Sequence, residues 1–189
     1  MTDSPERPPR SDDALALVTV GELVPHDATI VLADYDPAWP GLYAREEERI
    51  RAALGSTAVR LEHVGSTSVP DLIAKPIIDV LLVVPDSADE AAYLPQLEAA
   101  GYRLRIREPD WFEHRMFKGR DPDVNVHVFT TGAAEIDKLL SFRDQLRTNP
   151  ASRARYAQTK RELADRTWRH VQHYADAKTA VVAEILADS

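Results

Sequence analysis

The stretch EHVGSTSVPDLIAKPIIDVLLVV, residues 62–84, sets small hydroxyl residues, one Lys and one Asp against a segment that is otherwise apolar. Gly65 permits backbone angles, or a close approach, that a side chain would block. Ser66, Thr67 and Ser68 add hydroxyls and consecutive amides able to form a nest for an anion. Such a loop suits a phosphate. Asp79 follows near the start of the apolar segment, where an ionised carboxylate is costly unless it is paired or holds a metal. Lys75 is close enough in sequence to be that partner, or to meet a ligand phosphate. Short Gly/Ser motifs taken alone favour a plainer arrangement, a tight turn with Asp79 paired to Lys75 at a strand mouth and nothing bound.

Other groups with chemical potential lie further along. Arg143 could meet a phosphate, with a surface or helix-packing role as the alternative. Arg143 and Asp144 are adjacent on a predicted helix, so they are expected to face different directions and not to pair. Tyr174 and Lys178 are four apart on the last predicted helix and share a face, which would line a pocket with a hydroxyl and an ammonium or make a surface pair. Arg115 and Lys118 alternate on a strand, so only one of them can enter a cleft. Trp39, Trp111 and Trp168 read as packing anchors.

Composition narrows the partners. With 23 basic and 31 acidic side chains in 189 residues the net charge is −8. That argues against nucleic acid as the main partner, because phosphate neutralisation wants a basic face, and leaves room for a local basic pocket and a small-molecule phosphate ligand. The chain has no cysteine, so any metal must sit on oxygen and imidazole ligands, which points to hard divalent cations such as magnesium. The longest apolar run is too short to cross a bilayer, and MTDSPERPPRSDD lacks an apolar signal core, so no membrane is implied and the expected location is cytoplasmic.

The elements that must position these groups follow from periodicity. Residues 1–13 are polar and proline-rich and are expected to form a loose, disordered tail ahead of a single domain, 14–189. A β-branched run at 28–34 reads as a strand, 41–54 as a helix stopped by Gly55, and 57–64 as a strand. The run at 75–84 reads as a strand buried on both faces in the middle of a sheet. Residues 86–101 are helical, with a late start or kink at Pro95. Two strands, 102–108 and 111–119, flank a turn at Glu108-Pro109-Asp110, and a third follows, with Val124, Val126 and Val128 facing one way and Asn125, His127 and Phe129 the other. Helices close the chain at 135–147, 151–168 and 173–187. Strands followed by helices give an α+β fold with a mixed sheet.

The signature EHVGSTSVPDLIAKPIIDV resembles the GrpB family (UPF0157). YDPAWPGLYAREEERIRAALG upstream, and NVHVF, FRDQLR, YAQTKRELA and YADAKTAVVAEI downstream, extend the resemblance from about Ile30 to Ile185. It implies a nucleotidyltransferase-like mixed sheet flanked by helices with a C-terminal helical segment. It also implies Asp79 and Lys75 as catalytic residues, with Gly65, Ser66, Thr67, Ser68, His63, Arg143, Tyr174 and Lys178 around a nucleotide or other phosphate-bearing ligand. The activity implied is transfer of a nucleotidyl group with magnesium or manganese. The alternative is an inactive ligand-binding or accessory module of the kind associated with dephospho-CoA kinase. Two departures matter. Pro70-Asp71 stands where the family has Pro-Gly. The second acid of the nucleotidyltransferase pair falls on Leu81, which cannot bind a cation. Asn125 and His127 lie where the third carboxylate would come, so a metal set of Asp79, Glu62 and His127, with His63 as a substitute, would suit a softer ion or none. For His127 and His63 the plain alternative is a histidine satisfied by its neighbours.

Overall fold

The computed structural model describes residues 10–188. Among them five strands form one sheet: β1 (Arg60–Val64), β2 (Ile78–Val84), β3 (Arg103–Glu108), β4 (His114–Arg120) and β5 (Asp123–Thr130), in the order β1-β2-β5-β4-β3. β2 and β5 are parallel and the other neighbours antiparallel, so the sheet is mixed, as the sequence implied. The helices are α1 (Asp12–Val18), α2 (Trp39–Leu54), α3 (Leu94–Ala99), α4 (Ala134–Thr148), α5 (Pro150–Ala164), α6 (Val171–Asp176) and α7 (Thr179–Ala187). Of the expected tail, residues 1–9 lie outside the described residues, while α1 already begins at Asp12.

The sheet is covered on both faces because β2 and β5 alternate two sets of apolar side chains. Val80, Leu82, Val126 and Val128 pack with Trp39 and Ile50 of α2 and Leu97 of α3. Leu81, Val83 and Phe129 pack on the other face with Ile136 and Leu140 of α4. Each of these fully buried side chains contributes about 1.5–3 kcal/mol. β2 therefore has no solvent face except at its first residues, where Asp79 stands. A further cluster joins Val69 and Leu72 of the loop before β2 to Leu146, Tyr156, Val181 and Ile185, which docks the C-terminal helices against the strand's entrance.

Several sequence expectations need correcting. The run at 28–34 makes single bridges, Ala28 with Trp168 and Ala33 with Ala74, and no strand. Its Ile30 is buried against Leu163, Ala164 and Tyr174, so its apolar character serves packing and not pairing. The turn after β3 is wider than expected: Phe112 and Glu113 take φ of 52° and 50°, and β4 starts only at His114. Trp111 and Phe112 fold back on the core that contains Phe129. The last expected helix is broken, because Lys178 N–H bonds to the Ala175 carbonyl three residues back, separating α6 from α7. Pro95 does delay its helix, since α3 starts at Leu94.

Asp71, in place of the family's glycine, adopts φ 63° on the surface. The left-handed conformation is kept, and an Asp side chain tolerates it. Asp71→Gly is expected to leave urea-unfolding stability nearly unchanged, whereas Asp71→Val should lower it by about 1–2 kcal/mol, since a β-branched residue at an exposed position loses only backbone comfort.

Candidate functional site around Asp79

β1 ends at Val64, and Gly65, with φ 68°, turns the chain into one turn of 3-10 helix, Ser66–Ser68. A methyl group on Gly65 would lie 2.3 Å from Oδ2 of Asp79. The backbone passes against the carboxylate at a distance only glycine permits. Two of the three hydroxyls in this turn serve the loop itself. Thr67 Oγ1 donates to the Ile77 carbonyl at 3.1 Å and meets His63 Nε2 at 3.1 Å. Ser68 Oγ donates to the Gly65 carbonyl at 2.6 Å. The Ser66 hydroxyl reaches across to the C-terminal helices, hydrogen-bonding the phenol of Tyr156 on α5.

Asp79 sits opposite Val64 on β1 and beside Asn125 on β5. Asn125 Nδ2 donates to its Oδ1 at 2.7 Å, and His127 Nε2 lies 3.6 Å from the same oxygen. The carboxylate is thus held by an amide and an imidazole, and not by Lys75 as the plainer sequence reading had it. Its side chain keeps 27 % exposure and that of His127 30 %, so the pair is open on one side. Burial works to raise the Asp79 pKa, but His127, Asn125 and the charge of Lys118 outweigh it and hold the carboxyl below its usual range.

Behind His127 runs a line of polar contacts across the sheet. His127 Nδ1 meets His114 Nε2 at 3.1 Å, and His114 Nδ1 meets Glu108 Oε2 at 2.8 Å. Glu108 Oε1 is 2.7 Å from Arg10 Nη2. At the other end of this line His127 Nε2 faces Asp79 Oδ1 and the open side. Sequence reasoning missed His114 and Glu108. The register that pairs Glu108 with His114 and Met116 with His127 would have placed them on one face.

The other groups near Asp79 are cations. Lys75, Lys160 and Lys178 each sense its charge. Lys160 is 2 % exposed and donates to the Ile73 carbonyl. Lys178 Nζ lies 4.0 Å from the centre of the Tyr174 ring. Burial, with Lys178 adding repulsion, pushes Lys160 down to about 7; burial, with Lys75 adding repulsion and Asp79 opposing both, pushes Lys178 down to about 8. Burial and Lys118 also lower Lys75. The Tyr174 hydroxyl is buried with no hydrogen-bond partner among the described residues. Lys160 and Tyr156 were not singled out from sequence, although a signal existed: Tyr156-Ala-Gln-Thr-Lys160 repeats the pattern of Tyr174-Ala-Asp-Ala-Lys178.

The remaining candidates fall on the far side of the Ser66–Ser68 turn. Glu62 is held by Arg143 and Arg60, each at 2.8 Å. His63 stacks on Tyr43, rings 4.8 Å apart and 2° from parallel, and burial pushes it down to about 4. Arg143 also pairs with Asp144, Nε to Oδ1 at 2.8 Å, contrary to expectation, because its long side chain bends back along the helix. Glu62, His63, Tyr43 and Arg143 border a groove of about 750 Å³ whose lining does not include Asp79, although His63 feels the charge of that carboxylate. Leu81 is fully buried in the second core. The groups at Asp79 therefore comprise one carboxylate and one imidazole, and no cluster of three or more His, Asp or Glu that could hold a metal gathers among the described residues. This donor set does not fit the oxygen cage of a magnesium pair.

The Gly65 and Asp79 contact makes a sharp test. Gly65→Ala is expected to lower stability in urea unfolding by at least about 2 kcal/mol, from strained φ plus the clash. Asp79→Ala removes the clashing carboxyl, so the double variant should recover part of that loss, read as a non-zero coupling in a double-mutant cycle.

Comparison with known proteins gives consistent matches. The profile of the GrpB protein family covers residues 29–188. A UPF0157 protein of Halalkalibacterium halodurans is 62 % identical over 98 % of this chain and 95 % of its own length. The crystal structure of a conserved GrpB protein from Enterococcus faecalis superposes with a TM-score of 0.72 at 30 % identity, covering 84 % of this chain and 96 % of that one. A dephospho-CoA kinase of Mycobacterium tuberculosis aligns at 33 % identity over 78 % of this chain but only 42 % of its own length. On the family match and these identities, the chain belongs to the GrpB family.

Proposed function

We propose that the Asp79 site binds a phosphate-bearing small molecule of nucleotide type, with its phosphates on Lys75, Lys160 and Lys178 and its hydroxyl groups toward His127 and Asp79. One observation carries this reading. Two Tyr-Ala-x-x-Lys pairs, from α5 and from α6 and its following turn, carry a buried ammonium group, that of Lys160, and a half-buried one, that of Lys178, and both feel the charge of the Asp79 carboxylate. Buried ammonium groups that repel each other are costly, and a bound phosphate offsets that cost. The Tyr174 hydroxyl, buried and unpartnered among the described residues, supplies a donor to the same ligand. No helix of the described residues is long and apolar enough to cross a membrane, and a cytoplasmic nucleotide pool suits such a site.

Nucleotidyl transfer would ask the lysines to hold the reacting phosphate, and the Asp79 carboxylate, with His127 beside it, to accept the proton of the attacking hydroxyl. The second reading is a ligand-binding or accessory module without turnover, and Leu81 at the second acidic position favours it. The segment shared with a dephospho-CoA kinase is consistent with either role, since it is a minor part of that enzyme's length.

Calorimetry with ATP, UTP and pyrophosphate, with and without magnesium or manganese, tests the reading. Lys178→Met should weaken pyrophosphate binding by about tenfold or more. Asp79→Asn should leave metal-free binding equal or tighter, because it removes a negative charge facing the ligand; a loss of affinity seen only with magnesium or manganese present would instead assign a metal bridge. Asp79→Asn should also abolish any pyrophosphate release from a nucleotide, and a wild-type protein that binds without release is the accessory module. Both lysines have folded pKa values below the ordinary lysine range, so near pH 8 each is partly deprotonated, and an anion restores the protonated form. Binding should therefore take up protons, seen as a buffer-dependent enthalpy, and affinity should fall as pH rises from about 7 to 9.

A further inference from the structure

The groove along the free edge of β1 belongs to none of the chemistry at Asp79. It lies between α2 and α4, and its volume of about 750 Å³ is that of a small-molecule pocket. Its walls are Tyr35, Pro40, Leu61 and Pro70, and three guanidinium groups, those of Arg143, Arg147 and Arg153, enter it. The acids along it are largely engaged. Glu62 pairs with Arg60 and Arg143, and Glu47 with Arg51 at 2.9 Å, while exposed Asp71 stands on the rim.

Arg147 and Arg153 are held differently. Arg147 donates through Nε and Nη2 to the Ser68 carbonyl at 3.0 and 2.8 Å, and its closest carboxylate oxygen, on Asp144, is 3.7 Å away and already shared with Arg143. Arg153 donates from Nη1 to the carbonyls of Leu146 and Arg147 at 3.1 and 3.2 Å. Neutral carbonyls orient both guanidinium groups without cancelling their charge. Arg143 and Arg147, one helical turn apart, also repel each other. Charges fixed in this way at the mouth of a pocket with apolar walls match the planar fork geometry that guanidinium offers to an oxyanion.

We propose that this groove is a second ligand site, taking a small organic oxyanion, phosphate or carboxylate, on a flat ring that packs against the Tyr35 and proline wall. Arg147 and Arg153 bind the oxyanion. Arg147 also grips Ser68, so the ligand is felt in the Gly65 to Ser68 turn.

The test is a titration of the full chain with phenyl phosphate and, separately, benzoate, followed by ¹⁵N–¹H NMR of backbone amides and arginine Nε–H groups. The expected result is saturable shifts at Arg147, Arg153 and Ser68 with at least one probe; the stronger probe shows whether phosphate or carboxylate is preferred. Arg153→Ala, which leaves the Ser68 contact in place, and Arg147→Ala should each weaken binding by about tenfold, while Lys178→Met leaves it unchanged. The proposal is overturned if neither probe shifts these groups, if both arginine variants bind as the wild type does, or if the shifts vanish with Lys178→Met and so belong to the Asp79 site.

Discussion

The site depends on the close approach of the Gly65 backbone to the Asp79 carboxylate. With no side chain at Gly65, the loop lies against the acid and closes one side of it. Thr67 and Ser68 then fix the loop to Ile77 and to itself, and Asn125 fixes the acid from the other strand. The result is a carboxylate whose orientation is set by neighbours on both sides and whose single free direction faces the C-terminal helices. Such preorganisation is what distinguishes a reactive or binding carboxylate from one neutralised by a chance partner.

Charge separation is the second organising feature. The chain is acidic overall, yet three lysines and three arginines stand on two sides of one short turn. Toward Asp79 the cations are lysines, compact and readily shifted by burial; toward the β1 edge they are arginines, planar and permanently charged. The chain thus places a titratable set of charges and a fixed set within reach of the same loop, and the two sets are suited to different anions.

Much of the framework was legible in the sequence because short-range patterns governed it. The apolar run of β2 implied burial on both faces, the alternation of Val124, Val126 and Val128 implied their shared face, and the glycine in the loop implied a backbone too close for a side chain. What was not legible depended on long-range placement. The run at 28–34 has strand-forming residues but no free ladder to join, so it packs on α5 and α6. Glu62 looked like a ligand beside the loop, but Arg143, remote in sequence, takes it up. Lys160 sits mid-helix in a polar segment, where nothing local reveals that its ammonium group is buried beneath Ile73. Its spacing from Tyr156, the same as that of Lys178 from Tyr174, was the one local clue.

The contact between Lys160 and the Ile73 carbonyl joins residues 87 positions apart in the chain. Its counterpart, Lys178, lies further still toward the C-terminus. Contacts of such high sequence separation carry the largest loop-closure entropy and tend to form after local structure. The loop and its acid are therefore assembled within the sheet, by β1, β2 and β5, while the positive wall opposite them is completed by the final helices. A chain that had not completed its last packing step would carry the acid without its cations and would repel the very anions the finished molecule is built to attract.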